Sequence, residues 1–337
     1  MQVHEYVARR LIKLPIILIF LSMMVFGISR LGGSPIGIYL EHEMSQEEVE
    51  EISQRYGLDK SLPEQYVRWL GGVFQGDLGW SGVSAAPVTE VLPAKAAASA
   101  ELAITAGIIA ITLGIGLGTY AGARRNSWAD HITRVLAISG ASLPLFWFAL
   151  LSLMVFYLWL GWAPMGRADV DLWAAISHPT GFYTLDALIN GNMAALGDAL
   201  RHLWLPALVL GYQGTAQIAR IMRSSLVDEM TQDYVDAARA KGLPERQVIR
   251  RHARRNALVP TVTVIGTTLG LLMVGSVVVE LVFQWPGLGR WIANGVLRGD
   301  RATIMGFILV AGAVYMLANL VVDVLYAYLD RRVELGA

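Results

Sequence analysis

The sequence predicts an all-α integral membrane protein with six transmembrane helices. Of the 337 residues, 55% are hydrophobic and only 16% are charged, whereas soluble domains carry about 25% charged residues. Six separate apolar runs approach or exceed the ~20 residues that a helix needs to cross ~30 Å of hydrocarbon. The formal net charge is zero, so bulk electrostatic attraction to nucleic acid is excluded and no nucleic-acid partner is expected. The sequence contains no cysteine, which excludes disulfides and thiolate metal sites within it.

The six apolar runs differ in length and in their interruptions. The third run contains Pro144, which predicts a kink or a tilted helix, and the fourth is short. The first run has a basic start, but no Ala-x-Ala site follows it, so an uncleaved anchor is favoured over a signal peptide. The runs cover residues 11–31, 102–123, 135–162, 203–219, 257–279 and 302–322.

The basic residues predict the orientation of the chain. With both termini in the cytoplasm, the internal segments are the N-terminus, 124–134, 220–256 and the C-terminus. These segments hold about 17 of the 27 lysines and arginines, the asymmetry expected of cytoplasmic loops. The expected location is therefore the cytoplasmic (inner) membrane, with several passes and both termini inside.

The predicted organisation is uneven along the chain. Residues 1–31 form the N-terminal start and first helix, residues 32–100 an extracytoplasmic insert, and residues 97–328 a five-helix block. Within the insert, a capping box begins at Ser45, and a second amphipathic helix is expected from Leu62 to Phe74. Its aromatic residues either anchor the segment at lipid headgroups or pack into a small external cap.

Two glycines in the second run, Gly114 and Gly118, form a Gly-x-x-x-Gly pair. Such pairs allow close approach of helices in membranes. Packing within the chain is favoured here over a subunit interface, and both interpretations are open.

The cytoplasmic loop between the fourth and fifth runs contains the most informative motif. A short alanine-rich helix runs from Asp233 to Gly242, where glycine ends it, and a basic helix then leads back to the membrane. On physical grounds alone, an ordinary positive-inside loop explains this pattern about as well as a functional one.

The motif Asp236-Ala237-Ala238, followed after three residues by Gly242, resembles the "EAA" loop of bacterial ABC importer permeases. The following Arg-His-x-x-Arg-Asn-Ala-Leu-Val-Pro stretch, residues 251–260, is similar to the peptide/nickel branch of that family. Further similarities, in the same order as in the dipeptide/oligopeptide permease B subunits, occur at residues 6–12, 55–60, 65–66, 76–79, 280–289 and 319–326. Asp236 replaces the usual glutamate and keeps its charge.

The resemblance implies a type I ABC importer permease fold and a permease subunit that carries dipeptides or oligopeptides. An importer of the same class for oligosaccharide or nickel is the alternative, and a secondary transporter or an intramembrane enzyme is a distant one. The resemblance also implies a non-catalytic chain without a bound cofactor, because ATP and Mg²⁺ are used by partner subunits. In agreement with this, the sequence shows no P-loop pattern. The implied partners are a second homologous permease, two ATP-binding subunits or domains, an extracytoplasmic substrate-binding protein, the peptide and membrane lipid.

The resemblance also implies a coupling helix that docks on the ATPase. The expected docking residues are Asp236, Ala237, Ala238 and Gly242, because small side chains allow close docking and glycine permits the turn. Arg251, His252 and Asn256 are second candidates, which otherwise orient the helix or meet lipid phosphates. Glu280 and Asp323 lie at the edges of apolar runs, where an ionisable group is a candidate for the transport pathway or a gate. A structural acid is the alternative for Glu280, and an ion pair for Asp323.

Overall fold

The computed structural model describes residues 3–31, 59–174, 176–313 and 316. In this part of the chain the regular structure is helical except for one pair of two-residue antiparallel strands, β1 (Trp80–Ser81) and β2 (Ala86–Pro87). The predicted all-α class is confirmed. The helices are α1 (Val3–Leu31), α2 (Leu62–Phe74), α3 (Val88–Ala123), α4 (Trp128–Ser142), α5 (Leu145–Leu153), α6 (Val170–Ala174), α7 (Tyr183–Ile189), α8 (Met193–Glu229), α9 (Asp233–Ala240), α10 (Glu245–Gln247), α11 (Arg254–Val282), α12 (Leu288–Arg298) and α13 (Arg301–Ala313).

Two described helices, α3 and α8, are long and apolar enough to cross a membrane without interruption. Two further candidate spans are pairs of helices joined at a bend, namely α4 with α5 and the segment 245–272 with 275–282. Shorter apolar stretches lie in α1 (Pro15–Gly27) and in α13. By length and composition, the described residues therefore contain two to four spans, and the number six stays a prediction.

The two uninterrupted helices are longer than their apolar runs. The fourth run, 203–219, is the middle of α8, which has 37 residues. The second run begins at residue 102, whereas α3 begins at Val88 and has 36 residues. About 20 residues suffice for a crossing, so each helix has an end that extends beyond its apolar run. Part of the predicted insert therefore belongs to α3.

Pro144 breaks the third apolar run. Helix α4 ends at Ser142, Leu143 takes an extended conformation, and Pro144 caps the start of α5. The residue before a proline is disfavoured in the helical conformation, and proline has no N–H to donate to the preceding turn. The two helical parts are bent by 111°. A π-helical segment, Met154–Trp159, continues α5.

The chain divides into two compact units, each with its own core. The first contains the described residues up to Ala96 and those from Gly287 onward, and the second contains Ala97–Pro286. In the second unit, the core consists of apolar side chains from α3, α5, α8 and α11, with Trp285 almost fully buried among them.

The Gly-x-x-x-Gly pair of α3 packs against α8 within the chain. A Cβ atom on Gly114 would lie 2.7 Å from the side chain of Ile218, and one on Gly118 would lie 2.7 Å from Met222 Cβ and from the carbonyl oxygen of Ala219. Real Cβ atoms do not approach so closely, so glycine is required for this helix contact. The prediction of packing within the chain is confirmed.

A buried ion pair joins the segment before α6 to α3. Arg167 donates to Glu101 Oε2 at 2.6 Å, and Thr184 donates to Glu101 Oε1 through both its N–H and its hydroxyl. The two charged side chains are 6% and 3% exposed. Arg167 also donates to the carbonyl oxygen of Gly181. These bonds satisfy most of the polar atoms of the pair, as burial of charge requires.

In the first unit, α2 has the predicted bounds. Tyr66 and Trp69 pack against Phe26 of α1, with ring centroids 5.4 and 5.9 Å apart, while Phe74 is exposed. The Tyr66 hydroxyl lies 2.8 Å from Ser22 Oγ. These contacts favour the packed interpretation of this helix over the headgroup anchor. The predicted capping box at Ser45 lies outside the described residues.

Candidate coupling site

The short helix predicted in the loop 220–256 is present as α9, an exposed helix of eight residues between the long helices α8 and α11; its coupling role stays a prediction. Asp233 and Asp236 lie in its first turn and Arg239 in its last. Acids at the N-terminus and a base at the C-terminus complement the helix dipole, so the local sequence favours a helix of this length at this place.

One face of α9 packs into the chain and the other is exposed. Val235 and Ala238 are buried in a cluster with Met222 and Leu226 of α8 and with Ala257 of α11. This cluster joins the base of α9 to the ends of both long helices.

The two motif alanines therefore lie on different faces. Ala238 is 5% exposed, whereas Ala237 and Asp236 are exposed. The small size of Ala238 follows from packing within the chain, which differs from the docking reason expected from the sequence. Only Ala237 and Asp236 of the Asp-Ala-Ala motif are presented outward.

Gly242 ends the site with a left-handed turn. Its φ is +76°, and an added Cβ would meet no atom within 4 Å. The glycine is required for its backbone conformation, and not for space, because an L-residue with a Cβ is strained at this φ. Its N–H donates to the carbonyl oxygen of Arg239 at 2.9 Å, which closes the turn after α9.

Arg239 connects the two sides of this turn. Its guanidinium group donates to Asp236 Oδ1 at 2.9 Å and to both carboxylate oxygens of Glu245 at 2.9 and 3.2 Å. The hydrogen bonds from Arg239 lower the pKa of Glu245 below its ordinary value. The hydrogen bonds that Arg239 donates to Glu245 and to Asp236 raise the pKa of Arg239 further. Arg239 and Glu245, together called the clamp below, are thus both ionised at neutral pH.

Tyr234 connects α9 to both long helices. Its hydroxyl donates to Glu229 at the end of α8 and lies near the Asn256 side chain at the start of α11. Burial, followed by the bond to Glu229, raises the pKa of Tyr234, so the hydroxyl remains a donor at neutral pH. Tyr234 therefore lies against residues of both α8 and α11.

The structure brings together part of the predicted site. Asn256 contacts α9 through Tyr234, but among the described residues neither Arg251 nor His252 has a hydrogen bond or ion pair with α9. Arg251 instead lines a basic groove of about 450 Å³ with Arg250, Arg254, Arg255 and Leu258.

The two predicted pathway acids are placed differently. Glu280 is fully buried in the second unit and accepts a hydrogen bond of 2.6 Å from Ser99 Oγ. It does not line the cavities beside Arg251, Gln217, Thr268 or Pro63. Asp323 lies outside the described residues. Both stay predictions as pathway residues.

Sequence reasoning missed Glu245 and Tyr234 as members of the site. Arg239 and Glu245 are six residues apart, a spacing that does not bring side chains together on one helix, so only the turn at Gly242 makes them neighbours. An acid directly after Pro244, at a helix start, was the available signal for Glu245.

Comparisons with known proteins cover nearly the whole chain. The family described as "Binding-protein-dependent transport system inner membrane component" matches residues 114–335. Its companion, described as "Binding-prot-dependent transport system membrane comp, N-term", matches residues 3–91.

Three curated relatives illustrate the similarity. The chain is 40% identical over 315 residues to the probable D,D-dipeptide transport system permease protein DdpB of Escherichia coli (strain K12), covering 93% of both chains. It is 37% identical over 333 residues to the di/tripeptide transport system permease protein DppB of Pseudomonas aeruginosa (strain UCBPP-PA14), covering 98% of both. It is 36% identical over 334 residues to the dipeptide transport system permease protein DppB of Escherichia coli (strain K12), covering 98% of both.

Proposed function

Because the chain belongs to the family of binding-protein-dependent transport system inner membrane components, we propose that it is the permease subunit of an ATP-driven importer of dipeptides or oligopeptides. The observation that carries the cargo class is similarity over 93–98% of both chains to three relatives named as peptide permeases. Oligosaccharide or nickel, the alternatives left open by the sequence, become outcomes of the test.

The proposed architecture has six spans, both termini in the cytoplasm, and an extracytoplasmic insert between the first two spans. Residues 97–328 form the transmembrane domain, and the loop 220–256 faces the cytoplasm. The excess of lysine and arginine in the internal segments supports this orientation. The proposed assembly contains a second homologous permease, two ATP-binding subunits or domains that use ATP and Mg²⁺, and an extracytoplasmic binding protein.

Helix α9 is the proposed docking element for an ATP-binding subunit. Its outer face presents Asp236 and Ala237, and its inner face packs on the ends of α8 and α11. Tyr234 donates to Glu229 of α8 and lies near Asn256 of α11, and Arg239 joins the two sides of the turn at Gly242. Movement of the docked subunit is therefore passed on to the membrane helices.

The test is reconstitution of the complete complex in proteoliposomes. ATP hydrolysis and uptake of labelled cargo are measured with the binding protein loaded with a dipeptide, an oligosaccharide or nickel. We expect stimulation of hydrolysis and uptake with the dipeptide alone.

If only oligosaccharide or nickel stimulates hydrolysis and uptake, the assignment as an importer stands and the assignment of peptide as the cargo is wrong. Uptake that proceeds without ATP and depends on an ion gradient would overturn the importer class itself.

A further inference from the structure

Two adjoining cavities in the second unit share Gln213 and Gln217 of α8. One, of about 290 Å³, lies between these residues and small residues of α4 that include Gly140. The other, of about 100 Å³, lies between α8, Leu145 of α5 and the part of α11 that contains Thr268. The cavities therefore run along one polar face of α8, between three neighbouring elements.

This polar face lies within a helix that is long and apolar enough to cross a membrane. Gln213, Gln217 and Arg220 are spaced by four and three residues, which places them on the same side of α8. All three line the larger cavity. Gln213 and Gln217 lie within the apolar run 203–219, where polar side chains are costly and usually mark a pathway or binding site. Arg220 lies directly at the proposed cytoplasmic end of this run.

Most of the polar groups of this face lack partners in the described part of the chain. Gln213 donates to the carbonyl oxygen of Leu143 at 3.2 Å, but Gln217 and Arg220 form no side-chain hydrogen bond or ion pair with any described residue. One turn further along α8, Arg223 is paired with Asp130 of α4. The arginine that holds α4 and α8 together is thus Arg223, which leaves Arg220 without a structural role in this contact.

Thr268 adds a second, independent observation. Its side chain is 3% exposed, and its Oγ1 has no hydrogen-bond partner. A Cβ on Gly214 would lie 2.6 Å from Thr268 Cγ2, so the methyl group of Thr268 packs directly on the backbone of α8. A buried hydroxyl without a partner is unfavourable and calls for a ligand or solvent group at this place.

The break between α4 and α5 lies at the same place. The chain is irregular at Leu143 and Pro144, and the Leu143 carbonyl oxygen is bonded to Gln213. At membrane depth, non-helical backbone is tolerated only where it is buried in protein or lines a water-filled cavity. Broken helices of this kind surround substrate sites in other transporters.

We propose that Gln213, Gln217 and Thr268 form a part of the translocation pathway that binds the amide groups of the transported peptide backbone, and that Arg220 binds its terminal carboxylate. Glutamine side chains offer both a donor and an acceptor, as peptide units do, and arginine binds carboxylates in a bidentate geometry. The site therefore binds groups that all peptides share, and selectivity among side chains is determined by the binding protein. This assignment rests on the proposed function.

The natural absence of cysteine permits a direct test in the reconstituted complex. Single variants Gln217→Cys and Gln213→Cys are treated with a charged, membrane-impermeant thiol reagent, and modification of this chain is read by mass spectrometry. The matched control is Thr112→Cys on α3, an exposed position where the native hydroxyl bonds only to its own helix. We expect modification of the glutamine positions at least about tenfold faster than of position 112, because a charged reagent does not enter hydrocarbon.

Transport by near-isosteric variants provides the second readout. Gln217→Met and Thr268→Val remove hydrogen-bonding groups at nearly constant size, and Thr112→Val is the control. We expect several-fold less peptide taken up per ATP hydrolysed by the first two, while ATP hydrolysis stimulated by the loaded binding protein persists and the control behaves as native.

The outcomes separate this assignment from the proposed function. Equal labelling of positions 213, 217 and 112, or native uptake per ATP by Gln217→Met and Thr268→Val in a complex that transports peptide, would overturn the site and leave the peptide importer standing. A native complex that moves no peptide would overturn the proposed function.

Discussion

Arg239 donates to both carboxylate oxygens of Glu245 across the left-handed turn at Gly242, at 2.9 and 3.2 Å. The same guanidinium group bonds Asp236 in the preceding turn of α9. One side chain therefore joins the exposed end of α9 to the first residue of α10. A bidentate pair constrains direction as well as distance, which suits the coupling role proposed for α9.

The variant Arg239→Lys tests the mechanical role of this clamp. Lysine keeps the charge but cannot form the bidentate bond. Because both partners are substantially exposed, the loss of stability should be at most about 1 kcal/mol. We expect an almost unchanged thermal unfolding temperature with several-fold weaker stimulation of ATP hydrolysis by loaded binding protein. Arg246→Lys on α10, at an exposed position, is the control; equal stimulation in both variants would contradict the clamp.

Larger side chains at the two motif alanines should affect different properties of the protein, namely stability at Ala238 and subunit association at Ala237. Ala238→Leu inserts carbon atoms into a buried cluster and should cost about 1–3 kcal/mol of stability through overpacking. Ala237→Leu alters only the exposed face, so the isolated chain should unfold at the native temperature while association with the ATP-binding subunit weakens. The measurements are thermal unfolding in detergent and co-purification of the subunits. Native assembly of Ala237→Leu would show that this face does not dock.

At Gly242, substitution effects should follow backbone conformation and not side-chain size. Asparagine visits the left-handed region more readily than β-branched residues, and no atom lies within 4 Å of an added Cβ. We therefore expect Gly242→Asn to retain most stimulated hydrolysis and Gly242→Val to lose it. The strain for valine is roughly 1–3 kcal/mol, enough to reorient a short exposed turn. Equal loss with both residues would instead indicate that the turn itself docks against a partner.

The buried pair Glu101–Arg167 should be essential for stability. Removal of one partner leaves an uncompensated buried charge, at a cost of about 3–5 kcal/mol. We expect Arg167→Met to lower the unfolding temperature strongly and the double variant Arg167→Met with Glu101→Leu to recover part of the loss. The control is Arg201→Met, since Arg201 is exposed and donates only to backbone carbonyl oxygens in the described structure. Additive effects in the double-mutant cycle would argue against a coupled pair.

Several features of this protein follow from its sequence alone. Apolar runs longer than a bilayer crossing predict helices, and α3, α8 and α11 contain three of the predicted runs. The bounds of α2 agree with its amphipathic pattern. Local signals also place α9 and its end, because dipole-compatible charges and a glycine act within a few residues.

The tertiary structure decided what these elements contact. Ala238 is the buried alanine of the motif because α8 and α11 approach α9 from its side. The local sequence does not determine the direction of that approach. The pairing of Arg239 with Glu245 depends on the turn at Gly242. The cavity that Gln217 and Thr268 both line depends on the packing of α8 against α11. Helix formation is governed by neighbours along the chain, whereas cavities, buried ion pairs and contacts between helices arise between residues that only the fold brings together.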